Sequence, residues 1–341
     1  MVKLISAFQK GVPSMEKFNM YQKLGINFDM AIEAHEVLRG DTQREIAGVS
    51  EEVKKLKNAT VTKVTILNDE GARKMGRAKG NYITIDAPGI RENIREVQDE
   101  ITQAFAQELE ALIKLPENAT VLLVGLGNWN ATPDSLGPKV IEYSLVTRHL
   151  HKYAPEVTQG LRPVSALAPG VLGLTGIETA EIIHGVVEKT KPNLIIAIDA
   201  LAAANLDRVA TSIQMADTGI NPGSGVGNKR SGINLETMGV PVIAIGCPTV
   251  VNASMIAHQT IEKLFEELQT TPALYKLYKG LTEDVIQKII TNVLQPYTGN
   301  LVVTPKEIDQ LIENMSKIIA GGLTQALHPG INADNYVNYL H

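Results

Sequence analysis

Two aspartates stand where chemistry is expected. Asp134 closes T-V-L-L-V-G-L-G-N-W-N-A-T-P-D (Thr120–Asp134), where an apolar run, Val121–Val124, breaks at Gly125 and Gly127 and yields to a polar loop ahead of a helix. Asp199 ends a second apolar run, N-L-I-I-A-I-D (Asn193–Asp199). Open α/β sheets build their sites at such places, outside the carboxyl ends of the strands. If the two strands are neighbours, both carboxylates emerge at one edge of the sheet. Two close carboxylates do not readily ionise together, so one keeps a proton near neutral pH. One can then accept a proton from water while the other donates to a leaving nitrogen. Asp134, next to a helix N-terminus, is favoured as the ionised partner and is the better base.

Other readings explain parts of the same stretch. A dinucleotide fingerprint needs G-x-G-x-x-G with a helix packed on the third glycine. Gly125 and Gly127 fit, but the third position is Asn130 and the helix begins too late. No P-loop pattern exists in the chain. A purely structural role explains the two glycines but not the polar set Asn128, Asn130, Thr132 and Asp134. An N-cap for Asp134 and a turn role for Asp199 are, on pattern alone, the commoner uses of such residues.

Further candidates are weaker. His35, His149, His151, His184, His258, His328 and His341 form no H-E-x-x-H, so no metal is expected, although a metal on Asp134, Asp199 and one distant histidine stays open. Ser224 in P-G-S-G-V-G suits an anion nest rather than a nucleophile elbow. Cys247 ends an apolar run and reads as a buried thiol. Lys229 and Arg230 follow a glycine-rich loop and either hold an anionic group or are solvated.

The elements that must position these residues come from pattern. Val61–Leu67 alternates as a strand, and Tyr82–Ile85 is a second. From Arg91, the residues Ile94, Val97, Ile101, Phe105, Leu109 and Leu112 share one helical face. After Asp134 a helix is expected to about His149, with Pro138 in its first turn. Glu178–Val187 reads as a helix and Thr211–Met215 as a short strand. Val121–Val124, Asn193–Ala200 and Val240–Ile245 are continuous apolar runs, as in a sheet covered on both faces. The expectation is an α/β fold, a mostly parallel twisted sheet between helical layers, with a helical C-terminal addition. Residues 1–27, interrupted at Gly11, Pro13 and Gly25, read as a frayed terminus, and 37–58 as a polar, charge-rich stretch.

Composition narrows the function classes. A net charge of -5 and 4% aromatic residues disfavour direct nucleic-acid binding. One cysteine excludes an internal disulfide framework and fits a reducing compartment. No apolar run approaches the ~18 residues of a membrane helix, and no signal-peptide core is visible, so a cytoplasmic setting is expected.

Five blocks, in order, carry a resemblance. They are G-L-G-N-W-N-A-T-P-D-S-L-G-P-K-V, R-P-V-S-A-L-A-P-G-V-L-G-L-T-G-I-E-T (Arg162–Thr179), I-A-I-D-A-L-A (Ile196–Ala202), D-T-G-I-N-P-G-S-G-V-G-N-K-R (Asp217–Arg230) and P-V-I-A-I-G-C-P-T-V-V (Pro241–Val251). Together they resemble the germination proteases of spore-forming bacteria, over about residues 28 to 260. The resemblance implies a fold related to hydrogenase-maturation proteases and a self-activating endopeptidase that degrades small acid-soluble spore proteins. It also implies an inactive precursor and a homotetramer in the forespore and spore core; no cofactor is expected. In that family two aspartates, matching Asp134 and Asp199, are essential. Family substrates are cut after an acid in a pattern like T-E-[FI]-A-S-E, and Phe28-Asp29-Met30-Ala31-Ile32-Glu33 is similar. The expectation is therefore a propeptide of 1–29, cut between Asp29 and Met30, a protease core of 30–265 and a helical extension of 266–341 packed on that core. Asn252 stands where the family pattern suggests aspartate. The alternatives are a metal-dependent maturation-type protease and an inactive relative.

Overall fold

Strands with apolar residues at every position need cover on both faces, and here they have it. The computed structural model describes residues 18, 21, 28–40, 45–116, 118–221, 231–269, 283–294, 297 and 301–339. Among the described residues nine strands form one sheet: β1 (Val49–Lys55), β2 (Thr60–Ile66), β3 (Gly80–Asp86), β4 (Val121–Gly125), β5 (Val164–Leu167), β6 (Leu194–Ala203), β7 (Ser212–Ala216), β8 (Val242–Asn252) and β9 (Val302–Val303). Their order is β1-β2-β3-β7-β8-β6-β4-β5, with β9 on β8. The sheet is mixed rather than mostly parallel: β8, β6, β4 and β5 pair in parallel, whereas β1, β2, β3, β7 and β8 are joined antiparallel. The candidate aspartates belong to the parallel half, and the continuous apolar runs that suggested parallel pairing are there.

Six helices carry most of the cover: α1 (Ala31–Arg39), α2 (Arg95–Leu112), α3 (Leu136–Tyr143), α4 (Thr179–Thr190), α5 (Ala253–Gln269) and α6 (Ile308–Leu327). Side chains alternate across a strand, and the core divides accordingly. Val121, Leu123, Ile196, Ile198, Ile243 and Ile245 face α2, α3 and α6. Leu122, Val124, Ile195 and Ala197 face the other side, with Ile183 and Val187 of α4. On that side of the antiparallel half, Met30, Ala31, Ala34 and Leu38 of the α1 segment cover Val64, Ile66 and Tyr82.

The C-terminal helix α6 is part of the main core. Ile312, Met315, Ile319 and Leu323 join the cluster that holds Phe105 and Leu109 of α2. Gly322 makes this possible, because a Cβ there would lie 2.2 Å from the Phe105 ring. Glu313 of α6 ties α3 down through Lys139 (3.2 Å) and the Tyr143 hydroxyl. The expected helical face of α2 is buried at Val97, Ile101, Phe105 and Leu109, whereas Ile94 precedes the helix and is exposed. The helix expected after Asp134 breaks after Tyr143 and restarts at Arg148. No helix among the described residues is long and apolar enough to cross a membrane.

Candidate active site

The two strands are neighbours. β4 and β6 run parallel with Gly125 opposite Ile198, and the next amide, Leu126 N–H, donates to the Ile198 carbonyl at 2.7 Å. Asp199 is thus one residue past the last β4 pairing. It does not end its strand: β6 continues to Ala203, pairing onward with β8 across a register shift between Leu201 and Ala202. Asp199 is buried, on the α4 side by alternation, and its Oδ1 accepts from the Ala200 amide at 2.9 Å.

Asp134 arrives by a loop that only glycine permits. Gly127 has φ +114°, and a Cβ on it would lie 2.0 Å from the Asp134 carbonyl. The Asn128 amide donates to that carbonyl at 3.0 Å, and the Asn128 side chain accepts from the Asn130 amide at 2.9 Å. From β8, the Thr249 hydroxyl donates to the Pro133 carbonyl at 2.6 Å. The N-cap position of α3 is Ser135, without a side-chain cap bond, so Asp134 is not the cap. Close packing of α3 on the strands comes from Gly137, whose Cβ would meet the Leu126 carbonyl at 2.2 Å. That contact performs the packing job of the third glycine in a dinucleotide fingerprint, at a different position.

Asp134 and Asp199 line one cavity of about 1060 Å³, together with Gly127 and Thr249. Gly125, Asn128 and Asn130 shape the loop and do not line the cavity. The segment around Asp29 lines the same cavity. Phe28 and Asp29 reach into it, beside Arg77 and Gln214. The Asp29 carboxylate accepts from the Ala202 amide at 2.9 Å, three residues past Asp199. Arg77 donates to the Phe28 carbonyl. Gln214 bridges the Asp29 carbonyl (3.2 Å) and the Ala31 amide (2.5 Å). Met30 is fully buried at the N-cap position of α1. One turn on, the Glu33 carboxylate accepts from the Ala204 and Asn205 amides at 2.9 Å. Burial pushes its pKa up to about 7, against the pull of the two amides and Arg208.

Ahead of this segment, the described residues Phe18 and Tyr21 pack against it. Phe18 stacks on Phe28 with centroids 5.5 Å apart, and Tyr21 meets Phe28 and His258 edge-on. The remaining residues of 1–27 lie outside the described residues, as do Ser224, Lys229 and Arg230.

Other candidates are elsewhere. Cys247 is buried in β8 and desolvation drives its thiol pKa far up, which suits packing rather than nucleophilic attack. No histidine among the described residues lines the cavity. His328 instead accepts from the Arg162 amide at 3.0 Å, and burial lowers its pKa to about 4. Asn252 ends β8 and accepts from the Ser254 amide at the start of α5, away from the cavity lining. Among the described residues, no group of three or more His, Cys, Asp or Glu is arranged to hold a metal ion. Sequence reading passed over Gln214, Arg77 and the Ala202–Asn205 amides. A glutamine inside the strand S-I-Q-M-A was a visible signal; the amides carried none.

Comparison with known proteins matches the site region and beyond. The model of the Peptidase_A25 family, germination protease, matches residues 28–272 and 266–340, so the likeness continues well past residue 260. The germination protease of Caldanaerobacter subterraneus subsp. tengcongensis is 48% identical over 323 residues, covering 93% of this chain and 99% of that protein. Those of Clostridium acetobutylicum (47%, covering 93% and 99%) and Bacillus mycoides (44%, covering 94% and 98%) are similar over the same extent.

Proposed function

The chain belongs to the germination protease family, and from that premise we propose that Asp134 and Asp199 are its acid/base pair. Membership makes it an endopeptidase, a hydrolase of peptide bonds, that serves spore germination. The observation that carries the assignment is the shared cavity, which both aspartates line together with the Asp29 segment. Asp134, immediately ahead of the α3 N-terminus, takes the proton of the attacking water. The water oxygen bonds to the carbonyl carbon, the C–N bond breaks, and Asp199 supplies the proton that the leaving nitrogen needs.

The first bond cut is Asp29–Met30, which releases residues 1–29 as a propeptide and activates the enzyme on itself. Support comes from the similarity of Phe28–Glu33 to the family cleavage pattern and from the lodging of Asp29 on the Ala202 amide. The substrates are the small acid-soluble spore proteins of the forespore and spore core, and the working form is a homotetramer; the resemblance of the five sequence blocks to the family supports both readings.

The test is direct. Wild type, Asp134→Asn and Asp199→Asn are incubated alone and with a small acid-soluble spore protein, and the products are read by mass spectrometry. A new N-terminus at Met30 and cleaved substrate are expected for wild type only. Full cleavage by both variants would falsify the pair.

A further inference from the structure

The carbonyl proposed for attack already has a hydrogen-bond donor. Gln214 Nε2 donates to the Asp29 carbonyl oxygen at 3.2 Å, while Oε1 of the same amide accepts from the Ala31 amide at 2.5 Å. A backbone N–H only donates, so Ala31 fixes which end of the side chain is oxygen and leaves the NH₂ facing Asp29. Gln214 itself is 8% exposed, on β7 between the core residues Ile213 and Met215. A polar side chain so deep in a sheet requires partners, and Gln214 finds them on either side of Met30, at the Asp29 carbonyl and the Ala31 amide.

The sheet register makes this placement more than local. Gln214 pairs with Gly246 of β8, and Gly246 pairs with Asp199 of β6. The three lie in one row across adjacent strands, facing the same side, so Asp199 and Gln214 are about two strand spacings, roughly 10 Å, apart at the backbone. The residue between them has no side chain. The Asp29 segment is tied to this side of the sheet through Gln214 and the Ala202 amide, and it lines one cavity with Asp199.

We propose that Gln214 is a catalytic residue that stabilises the oxyanion formed on the substrate carbonyl. The proposal rests on the cut at Asp29–Met30. As the water oxygen bonds to the Asp29 carbonyl carbon, the carbonyl electron pair moves onto the oxygen, where the Gln214 N–H donates. When that oxyanion collapses, the carbonyl re-forms, the bond to the Met30 nitrogen breaks, and the nitrogen leaves with the proton. A donor aimed at the developing charge is worth far more to the transition state than to the ground state. The same amide, through Ala31, sets the register of the two residues after the cut. Substrates in trans would present a carbonyl and, two residues on, an N–H to Gln214. A proline two residues past the cleaved bond should therefore be a poor substrate residue.

The first-order rate at which the full chain acquires an N-terminus at Met30 tests this by mass spectrometry. Gln214→Glu keeps an oxygen for Ala31 and loses the donor; Gln214→Ala loses both. Both should cleave about 10² to 10³-fold more slowly than wild type, with far-UV circular dichroism unchanged. Ala31→Pro leaves Gln214 in place and removes the N–H that orients it. The φ of proline suits that first position of α1, far-UV circular dichroism checks that the fold is kept at this buried position, and at least about a 10-fold slower cut is expected. If wild type cuts at Met30 and both Gln214→Glu and Ala31→Pro match its rate, the Gln214 role falls while the cleavage site stands. If wild type gains no N-terminus at Met30, the cleavage site falls and the role of Gln214 with it.

Discussion

Replacing Glu33 by glutamine should flatten the pH dependence of stability between about pH 4.5 and 7. Glu33 is buried, with its carboxylate on the Ala204 and Asn205 amides and Arg208 3.9 Å away. Desolvation, the largest influence, lifts its pKa from 4.5 to about 7. Over that window the folded chain holds a proton that the unfolded chain has released, so stability falls as pH rises. The contribution is fully present below pH 4.5 and is lost through pH 7. At 1.36 kcal/mol per unit, the difference amounts to about 3 kcal/mol. An unfolding entropy of about 2.1 cal/mol/K per residue gives roughly 0.7 kcal/mol/K for a chain of this length. The apparent Tm of wild type should therefore drop by about 4 °C relative to Glu33→Gln between pH 4.5 and 7.5. Glutamine keeps an oxygen for the two amides and does not titrate. The assay is thermal melting of both proteins across that range, read as a difference, so that all other titrating groups cancel. Parallel curves would mean that Glu33 ionises in the folded state as it does in water, and the burial argument would be refuted.

Two other perturbations probe the site's frame. Gly127→Ala should reduce self-cleavage by at least about 10²-fold, because its Cβ falls 2.0 Å from the Asp134 carbonyl at φ +114°; a wild-type rate would show that the loop position of Asp134 is irrelevant. Cys247 should resist alkylation by iodoacetamide in the native protein, since the thiol is buried in β8 and its pKa is raised; stoichiometric labelling with loss of cleavage would place a reactive thiol where packing is argued.

Some of this architecture was legible because it follows from local rules. Apolar runs at 121–124, 193–200 and 240–245 announce strands buried on both faces, and Gly125 and Gly127 announce the break at which a loop presents Asp134. Other features depend on the tertiary context. β1 was read as a polar stretch because it is an edge strand, with Glu51, Glu52, Lys54 and Lys55 exposed to solvent. β6 was expected to stop at Asp199, since an acid inside a strand looks like its end. It continues because β8 runs alongside to Asn252 and supplies pairing for the extra residues. The place of α6 in the main core rests on contacts with α2 some two hundred residues earlier, which no periodicity reveals.

The continuation of β6 has a physical consequence for recognition. Asp199, the Ala202 amide and the amides of Ala204 and Asn205 lie on one seven-residue stretch, Asp199–Asn205, that begins within the sheet and leaves at its edge. A peptide lying along that stretch meets the proposed acid first and then two amide positions that each receive a carboxylate. In the Asp29 segment those carboxylates belong to residues four apart, Asp29 and Glu33. Side-chain substitution leaves these backbone amides in place, so any preference for two acids at this spacing would be tied to the same element that carries Asp199. Losing either acid from a peptide should thus weaken its hold and shift its carbonyl relative to Asp199 together, coupling recognition to chemistry through one strand.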